Sequence, residues 1–82
     1  MVVQVRLFAM MAQHAKTGML TLELPAGSQL GAVRQELERR HPKMPWPPGT
    51  MIAVNQEYTG LDAALKVGDE VAVIPPVSGG SR

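Results

Sequence analysis

The chain has 82 residues, of which 45% are hydrophobic and 18% charged, with a formal net charge of +1 and no cysteine. This composition indicates one small folded domain rather than a disordered segment. The near-neutral charge gives no basis for binding nucleic acid, no apolar run approaches the ~20 residues that span a membrane, and the lack of cysteine excludes disulfides, thiolate metal sites and a cysteine nucleophile.

The beginning of the chain predicts two antiparallel strands with a short helix between them. Residues 2–8 alternate in character, which predicts a strand whose odd-numbered residues share one side and whose Phe8 faces the other. A short helix is expected over 9–16, closed by Thr17-Gly18, and residues 19–24 alternate as a second strand. A connection this short favours an antiparallel pair.

The main helix is predicted to follow a break at residues 25–27. Ser28 is expected to cap it, and its charged residues lie away from one apolar stripe. The stripe consists of Leu30, Val33 and Leu37. The helix is expected to end at His41-Pro42, because the proline-rich loop over 42–49 cannot continue it.

The second half of the chain predicts three more strands. Residues 51–55 form an apolar run typical of a buried strand, a short extended piece follows at 58–59, and residues 61–65 resemble one helical turn. A tight turn at 67–70 then begins a last strand over 70–74. The order of elements predicts an α+β domain with one main helix packed on a mixed sheet.

The chain is predicted to leave this sheet as a thin tail. Proline has a fixed φ and no amide donor, so Pro75-Pro76 end the last strand and direct the chain outward. Glycine has no Cβ, so Gly79-Gly80 can pass through a narrow channel and bring a backbone carbonyl close to a reactant. We therefore divide the chain into a globular domain over 1–76 and a flexible tail over 77–82. A frayed terminus without a role is the alternative that these residues alone leave open.

Four segments carry a resemblance to a known family. They are VRLFA at residues 5–9, AVNQ at 53–56, VGDEVA at 67–72 and PPVSGG at 75–80. With the order of elements, they closely resemble the small subunit of molybdopterin synthase, a ubiquitin-like sulfur carrier, over nearly the whole chain. The resemblance implies the β-grasp fold, in which the first and last strands lie side by side and parallel at the centre of the sheet.

The resemblance further implies a carrier of activated sulfur on its own terminal carboxyl group. In that family an E1-like adenylyltransferase uses ATP to adenylate the final glycine, and sulfide delivered by a sulfurtransferase displaces AMP. The resulting thiocarboxylate enters the large subunit of the synthase, where it sulfurates cyclic pyranopterin monophosphate. By this resemblance Gly80 is activated and Gly79 keeps the tail slim, while the chain binds no permanent cofactor and is not catalytic alone.

Two residues, Ser81 and Arg82, follow Gly80, whereas the working form in that family ends at the second glycine. An internal Gly80 carbonyl is an amide and cannot be adenylated as a carboxylate. Trimming by a peptidase, a longer or fused parent protein, and an artificial extension remain three open explanations. We expect the untrimmed chain to be inactive as a sulfur carrier.

Strand parity predicts where a partner docks. If Val71 and Val73 meet the helix stripe, Ile74 faces outward beside Phe8 and forms an apolar patch at the root of the tail. We predict that this patch and the residues after it contact the large subunit in a heterodimer or heterotetramer. The predicted partner-binding residues are Phe8, Ile74, Pro75, Pro76, Val77 and Ser78.

Other residues carry more ordinary predictions. No metal site is predicted, because His14 and His41 are expected to lie far apart, without further ligands at a suitable spacing. Trp46 is expected either to anchor the proline-rich loop or to touch a partner. Asp69-Glu70 are interpreted as turn residues. With no cysteine and no secretory leader pattern, the cytoplasm is the expected location.

Three other functions remain open. One is a sulfur carrier for thiamine thiazole or cysteine synthesis, with the same fold and end but another acceptor enzyme. The second is a protein modifier, joined through Gly80 to a lysine amine of its target. The third is a non-catalytic interaction domain whose tail is unimportant. The segment PPVS at residues 75–78 favours the synthase subunit over the first alternative.

Overall fold

The structure of the protein is a computed structural model that describes residues 1–76. The predicted tail over 77–82, with Val77, Ser78, Gly79 and Gly80, lies outside the described residues. The described part has seven elements in the predicted order: β1 (Val2–Leu7), α1 (Ala9–Ala15), β2 (Met19–Glu23), α2 (Leu30–Arg40), β3 (Met51–Val54), β4 (Glu57–Tyr58) and β5 (Glu70–Ile74). Neither of its helices is long and apolar enough to cross a membrane.

The strands of the described part form one mixed sheet in the order β2-β1-β5-β3-β4. β1 and β5 are parallel neighbours, with Val5 opposite Val71 and Leu7 opposite Val73. β2 pairs with β1, and β3 with β5, in antiparallel fashion. This topology confirms the α+β class, the antiparallel pairing of β1 with β2, and the parallel first and last strands.

The core lies between α2 and one face of the sheet. The predicted stripe of α2, Leu30, Val33 and Leu37, is fully buried. The strand residues packed in the same cluster include Val3, Val5, Leu7, Val71 and Val73, none more than 3% exposed. Burial of one such side chain contributes about 1.5–3 kcal/mol, so this cluster is the main source of stability. The predicted parity of β1 and β5 is therefore confirmed.

The start of α2 differs from the prediction, because Ser28 does not cap the helix. Its hydroxyl donates to the carbonyl of Pro25 at 2.7 Å, within the preceding turn. Gln29 occupies the N-cap position and makes no side-chain hydrogen bond there. Ser28 therefore stabilises the turn rather than the helix, since its hydroxyl bonds to a residue that precedes α2.

In place of the predicted helical turn over 61–65, residues 61–62 form a turn and Ala64 forms an isolated antiparallel bridge with Gln29. This segment explains how α2 begins. The amides of Leu30 and Gly31 donate to the carbonyls of Ala63 and Leu61, each at 2.8 Å. The first amides of a helix have no partner inside the helix, so an outside acceptor stabilises its start. These carbonyls accept hydrogen bonds from α2, so they are not used in hydrogen bonds of a helix within residues 61–65.

The end of α1 also differs from the prediction. Lys16 takes the left-handed conformation that ends the helix, with φ 63°, so the Thr17-Gly18 closure is wrong in detail. The amide of Thr17 donates back to the carbonyl of Ala12 at 3.1 Å, and its hydroxyl donates to the carbonyl of Met19 at 3.0 Å. Thr17 thus joins the end of α1 to the start of β2.

Candidate functional site

The root of the predicted tail lies at the end of β5. Ile74 is the last residue of this strand and lies opposite Met51 of β3. Pro75 is half-buried and Pro76 is exposed. Neither proline has an amide hydrogen, so neither can extend the hydrogen-bonded ladder. The chain therefore leaves the sheet here, as the sequence predicts.

The face of the sheet opposite α2 carries a concavity of about 400 Å³. Successive side chains of a strand point to opposite faces, so this open face presents the residues that alternate with the buried ones. The concavity is lined by Arg6, Phe8, Ala53, Gln56, Tyr58, Glu70, Ala72 and Ile74. The predicted pair Phe8 and Ile74 thus belongs to one site beside the root of the tail.

Phe8 and Ile74 come together because β1 and β5 are parallel neighbours. Leu7 lies opposite Val73 on the core side, so the next residue along each chain points to the open face. Phe8 is 43% exposed, and Ile74 is half-buried. The Phe8 carbonyl accepts the amide of Met11 at 3.1 Å, which fixes the backbone of Phe8 at the start of α1. The geometry agrees with the predicted patch, and its binding of a partner stays a prediction.

Two large apolar residues of β3 and β4 that lie on the open face are absent from the sequence prediction. Met51 is 47% exposed and lies opposite Ile74, while Tyr58 is 59% exposed and lies opposite Ala53. Residues opposite each other on neighbouring strands share a face, so both belong with Phe8 and Ile74. Alternation along β3 is visible in the sequence, but only the pairing of β3 with β5 shows which of its residues lie on the open face.

One ion pair crosses the two central strands on the open face. Arg6 Nε donates to Glu70 Oε2 at 2.9 Å, and both side chains remain substantially exposed. Exposed pairs of this kind contribute no more than about 1 kcal/mol to stability. The pair therefore adds little to the fold, but it places polar groups of both signs among the apolar residues, where they can orient a partner.

Two of the segments that carry the resemblance meet in a cluster of hydrogen bonds at the start of β5. Asn55 Nδ2 donates to Asp69 Oδ1, and the amide of Glu70 donates to Asn55 Oδ1, each at 3.0 Å. The amide of Lys66 donates to Asp69 Oδ2 at 2.8 Å. The Lys66 amide, and then the Asn55 side chain, hold the pKa of Asp69 below its usual value. Asp69 therefore acts in the turn, as the sequence predicts, whereas Glu70 is the first residue of β5 and pairs with Arg6 on the open face.

The prediction that His14 and His41 lie far apart is wrong. Their rings meet edge to face, with centroids 5.9 Å apart. His14 belongs to the last turn of α1 and His41 to the C-cap of α2, so the packing of the two helices joins them across the sequence. Within residues 1–76, no group of three or more His, Cys, Asp or Glu side chains could hold a metal ion.

Trp46 ties the proline-rich loop to α2. The indole is half-buried against the core cluster, and the guanidinium carbon of Arg34 lies 4.6 Å from the ring centroid. A guanidinium over an indole face is an attractive cation–π contact. Of the two predicted roles, the structure favours the loop anchor.

Comparison with known protein families shows to which family the chain belongs. Residues 5–80 match the family model described as the ThiS family. The chain belongs to the ThiS family. The matched region includes all four segments that carry the resemblance, ends at Gly80, and leaves Ser81 and Arg82 outside it.

Relatives of this ThiS-family chain include a protein named molybdopterin synthase sulfur carrier subunit from Homo sapiens. It is 39% identical over 82 residues, which cover 95% of this chain and 93% of the relative. SAMP1 from Haloferax volcanii has a TM-score of 0.85 at 26% identity, covering 98% of this chain and all of the other. A chain from the complex of subunits 1 and 2 of molybdopterin-converting factor from Helicobacter pylori has a TM-score of 0.72 at 28% identity, covering 98% and 100%. The ubiquitin-like β-grasp fold that the resemblance implies is confirmed.

Proposed function

We propose that the chain is the sulfur carrier subunit of a molybdopterin synthase. The observation that supports this most is its match to relatives of that name over most of the length of both chains. The segment PPVSGG at residues 75–80 supplies the chemical handle that the function needs. In this proposal the chain donates sulfur within a heteromeric enzyme and catalyses nothing alone.

The reactive atom is the carboxyl carbon of Gly80, once that residue is the last of the chain. An E1-like adenylyltransferase joins the carboxylate to the α-phosphorus of ATP and releases pyrophosphate, and sulfide from a sulfurtransferase then displaces AMP. The product is a thiocarboxylate. When its sulfur passes to cyclic pyranopterin monophosphate, water returns an oxygen to the carbon and restores the carboxylate. Glycine leaves this carbon unhindered at each step.

The absence of cysteine supports a carrier of this type. A chain without a thiol has no side chain on which to hold transferable sulfur. An acyl carbon made electrophilic by adenylation is the site that remains. The composition therefore favours a terminal thiocarboxylate over a persulfide.

The large subunit of the synthase binds the open face and receives the tail in this proposal. The exposed apolar residues of that face surround the Arg6–Glu70 pair, and an apolar patch with polar groups is the usual composition of a protein interface. The Helicobacter pylori complex of subunits 1 and 2 contains a chain of this fold, which supports a heteromeric assembly.

A protein modifier is the second candidate function. The similarity to SAMP1, small archaeal modifier protein 1, favours it. Both functions begin with adenylation at Gly80 and diverge at the nucleophile, which is sulfide for a sulfur carrier and a lysine amine for a modifier. Immunoblots of cell extracts separate them, because only a modifier forms conjugates of higher mass.

The proposal is tested by the intact mass of a chain that ends at Gly80, after incubation with the activating enzyme, ATP and sulfide. We expect a mass gain equal to the replacement of one oxygen by sulfur. The full chain of 82 residues is the control and stays unchanged, because its Gly80 carbonyl is an amide. A gain on the full chain, or none on the truncated chain, contradicts the proposal.

A further inference from the structure

The loop before β3 ends in a tight turn over residues 47–50. The amide and the hydroxyl of Thr50 both donate to the carbonyl of Pro47, at 3.1 Å and 2.7 Å. Pro48 occupies the second position of the turn, and Gly49 at the third position has a φ of +90°. This is the pattern of a type II turn, whose third residue requires a positive φ. The turn therefore needs glycine, or a residue that tolerates strain, at position 49.

Gly49 also lies against the root of the tail. A Cβ added to Gly49 would lie 3.3 Å from Pro76 Cβ and 3.8 Å from Pro76 Cγ. The shorter distance is tighter than ordinary contact between carbon atoms, which is about 3.5–4.0 Å. The bare α-carbon of Gly49 thus lets the pyrrolidine ring of Pro76 seat on the turn.

This contact lies just beyond the end of the β3–β5 ladder. Met51 and Ile74 form the last pair of that ladder, so Gly49 and Pro76 each lie two residues outside it. Outside the strand ladders, no hydrogen bond between described residues involves Pro75 or Pro76. Prolines also lack the amide that could anchor them. Among the described residues, Gly49 is therefore a neighbour against which Pro76 can pack where the chain leaves the sheet.

We propose that Gly49 is a positioning residue that sets the direction in which the tail leaves the domain. By seating Pro76, it sets the direction of the chain at the last residue that the structure describes. The benefit to sulfur transfer rests on the proposed function, whereas the geometric claim does not. Gly49→Ala adds a methyl group that displaces the Pro76 ring by a few tenths of an ångström.

Two other glycines provide matched controls. Gly27 and Gly68 both have a φ of +85°, and a Cβ added to either would meet no atom within 4 Å. Gly27→Ala and Gly68→Ala therefore impose the same kind of backbone strain as Gly49→Ala, but they leave Pro76 untouched. Any effect of Gly49→Ala beyond theirs reports the contact with Pro76.

The geometric claim is tested on the full chain by paramagnetic relaxation in NMR spectra. The chain has no cysteine, so Ser81→Cys provides one site for a nitroxide label. We expect Gly49→Ala to change the set of domain amides that the label broadens, while Gly27→Ala and Gly68→Ala leave it as in the parent. Pro76→Gly removes the pyrrolidine ring from the same contact. We expect it to change the set of broadened amides even if Gly49→Ala fails to fold. Unchanged broadening in Pro76→Gly, or in a folded Gly49→Ala, overturns the proposal.

The functional claim is tested by the rate of thiocarboxylation of chains that end at Gly80. Misplacement of a reacting group by about 1 Å can cost about 100-fold in rate, so we expect the smaller displacement in Gly49→Ala to lower kcat by a few-fold. KM stays near the parent value, because Gly49→Ala changes only the root of the tail and leaves the rest of the domain surface as in the parent. Equal kcat values for Gly49→Ala and Gly68→Ala overturn the functional claim. If the parent chain gains no sulfur, the proposed function fails, and the NMR result still decides the geometry.

Discussion

Asn55 joins the β3–β4 hairpin to the start of β5. It has a φ of 50° and is followed by Gln56 at 72°, and two successive residues with positive φ suit the tight turn of a hairpin. Asparagine adopts this conformation more readily than most residues. Its side chain then bonds to Asp69 and to the amide of Glu70. One side chain therefore sets the position of two strands that line the open face.

Asp69→Ala is expected to lower the free energy of unfolding by about 1–2 kcal/mol, because it removes two hydrogen bonds. The lowered pKa of Asp69 makes its contribution complete above the ordinary value of 3.8 and lost as the pH falls through the lower folded value. Urea unfolding at neutral pH measures the loss. Asp62→Ala is the control, since Asp62 makes no hydrogen bond or ion pair among the described residues. Equal losses for both variants would contradict the account.

At the scale of elements, α2 combines a buried stripe with a charged outer face. On that face Glu36 accepts two bonds from the guanidinium of Arg39, at 3.1 Å and 2.6 Å, and one from Arg40 at 2.9 Å. The hydrogen bonds from Arg39 and then Arg40 lower the pKa of Glu36 from 4.5 to about 2. The outer face of α2 is thus held by one carboxylate shared between two arginines.

The Glu36 cluster predicts a pH dependence of stability with a definite sign. The folded pKa is the lower one, so the stabilisation is complete above pH 4.5 and is lost as the pH falls towards about 2. Glu36→Gln is expected to flatten the fall in the free energy of unfolding across this range, measured by urea unfolding at several pH values. Glu38→Gln is the control, because Glu38 has a single contact of 3.4 Å with Arg34. Identical pH profiles for the parent and Glu36→Gln would refute this role.

The start of α2 predicts that Ser28 matters little. Removal of a true N-cap side chain costs about 1 kcal/mol. Ser28 bonds to Pro25 in an exposed turn, so Ser28→Ala is expected to cost less than about 0.5 kcal/mol by thermal or urea unfolding. A fall in the free energy of unfolding of about 1 kcal/mol or more would contradict this account and indicate that Ser28 caps the helix.

The parts of the fold that repeat locally could be predicted from the sequence, and the main strand pairings followed from the short β1–β2 connection and from the family resemblance. Contacts between the other distant segments could not be predicted. The alternation along β1 and β5 and the stripe of α2 have fixed periods, which is why the buried Val5, Val71 and Leu37 are identified correctly. The meeting of His14 with His41 and the capping of α2 by residues 61–63 depend on contacts across the sequence. The same reason hides Met51 and Tyr58 from a sequence analysis of the site.

At the scale of the whole molecule, one face of the sheet is closed and the other is open. The closed face packs on α2, while the open face exposes large apolar side chains beside the root of the tail. Interface hot spots are well-packed side chains surrounded by residues that exclude water. Phe8 and Ile74 lie next to the point where the chain leaves the sheet, so the proposed function places the docking face beside the root of the tail.

Replacement of Phe8 and Ile74 by glutamate is expected to weaken binding of the large subunit by at least about 30-fold, as the loss of a hot spot of about 2 kcal/mol does. Both side chains lie outside the core, so the fold is retained. Calorimetric titration measures the affinity, and circular dichroism checks the fold. Val67→Glu is the control, because Val67 is 77% exposed and lies at the opposite end of β5 from the tail. Unchanged affinity in the double variant would remove this patch from the interface.

Transfer of sulfur from the chain to a pterin is the central claim, and it can be measured in one reaction. A thiocarboxylated chain that ends at Gly80 is mixed with the large subunit and cyclic pyranopterin monophosphate, and the intact mass of the chain is followed with time. The account predicts that the mass returns to that of the carboxylate form, with sulfur recovered in the pterin, only when both components are present. A thiocarboxylate that persists with both components present would contradict the account.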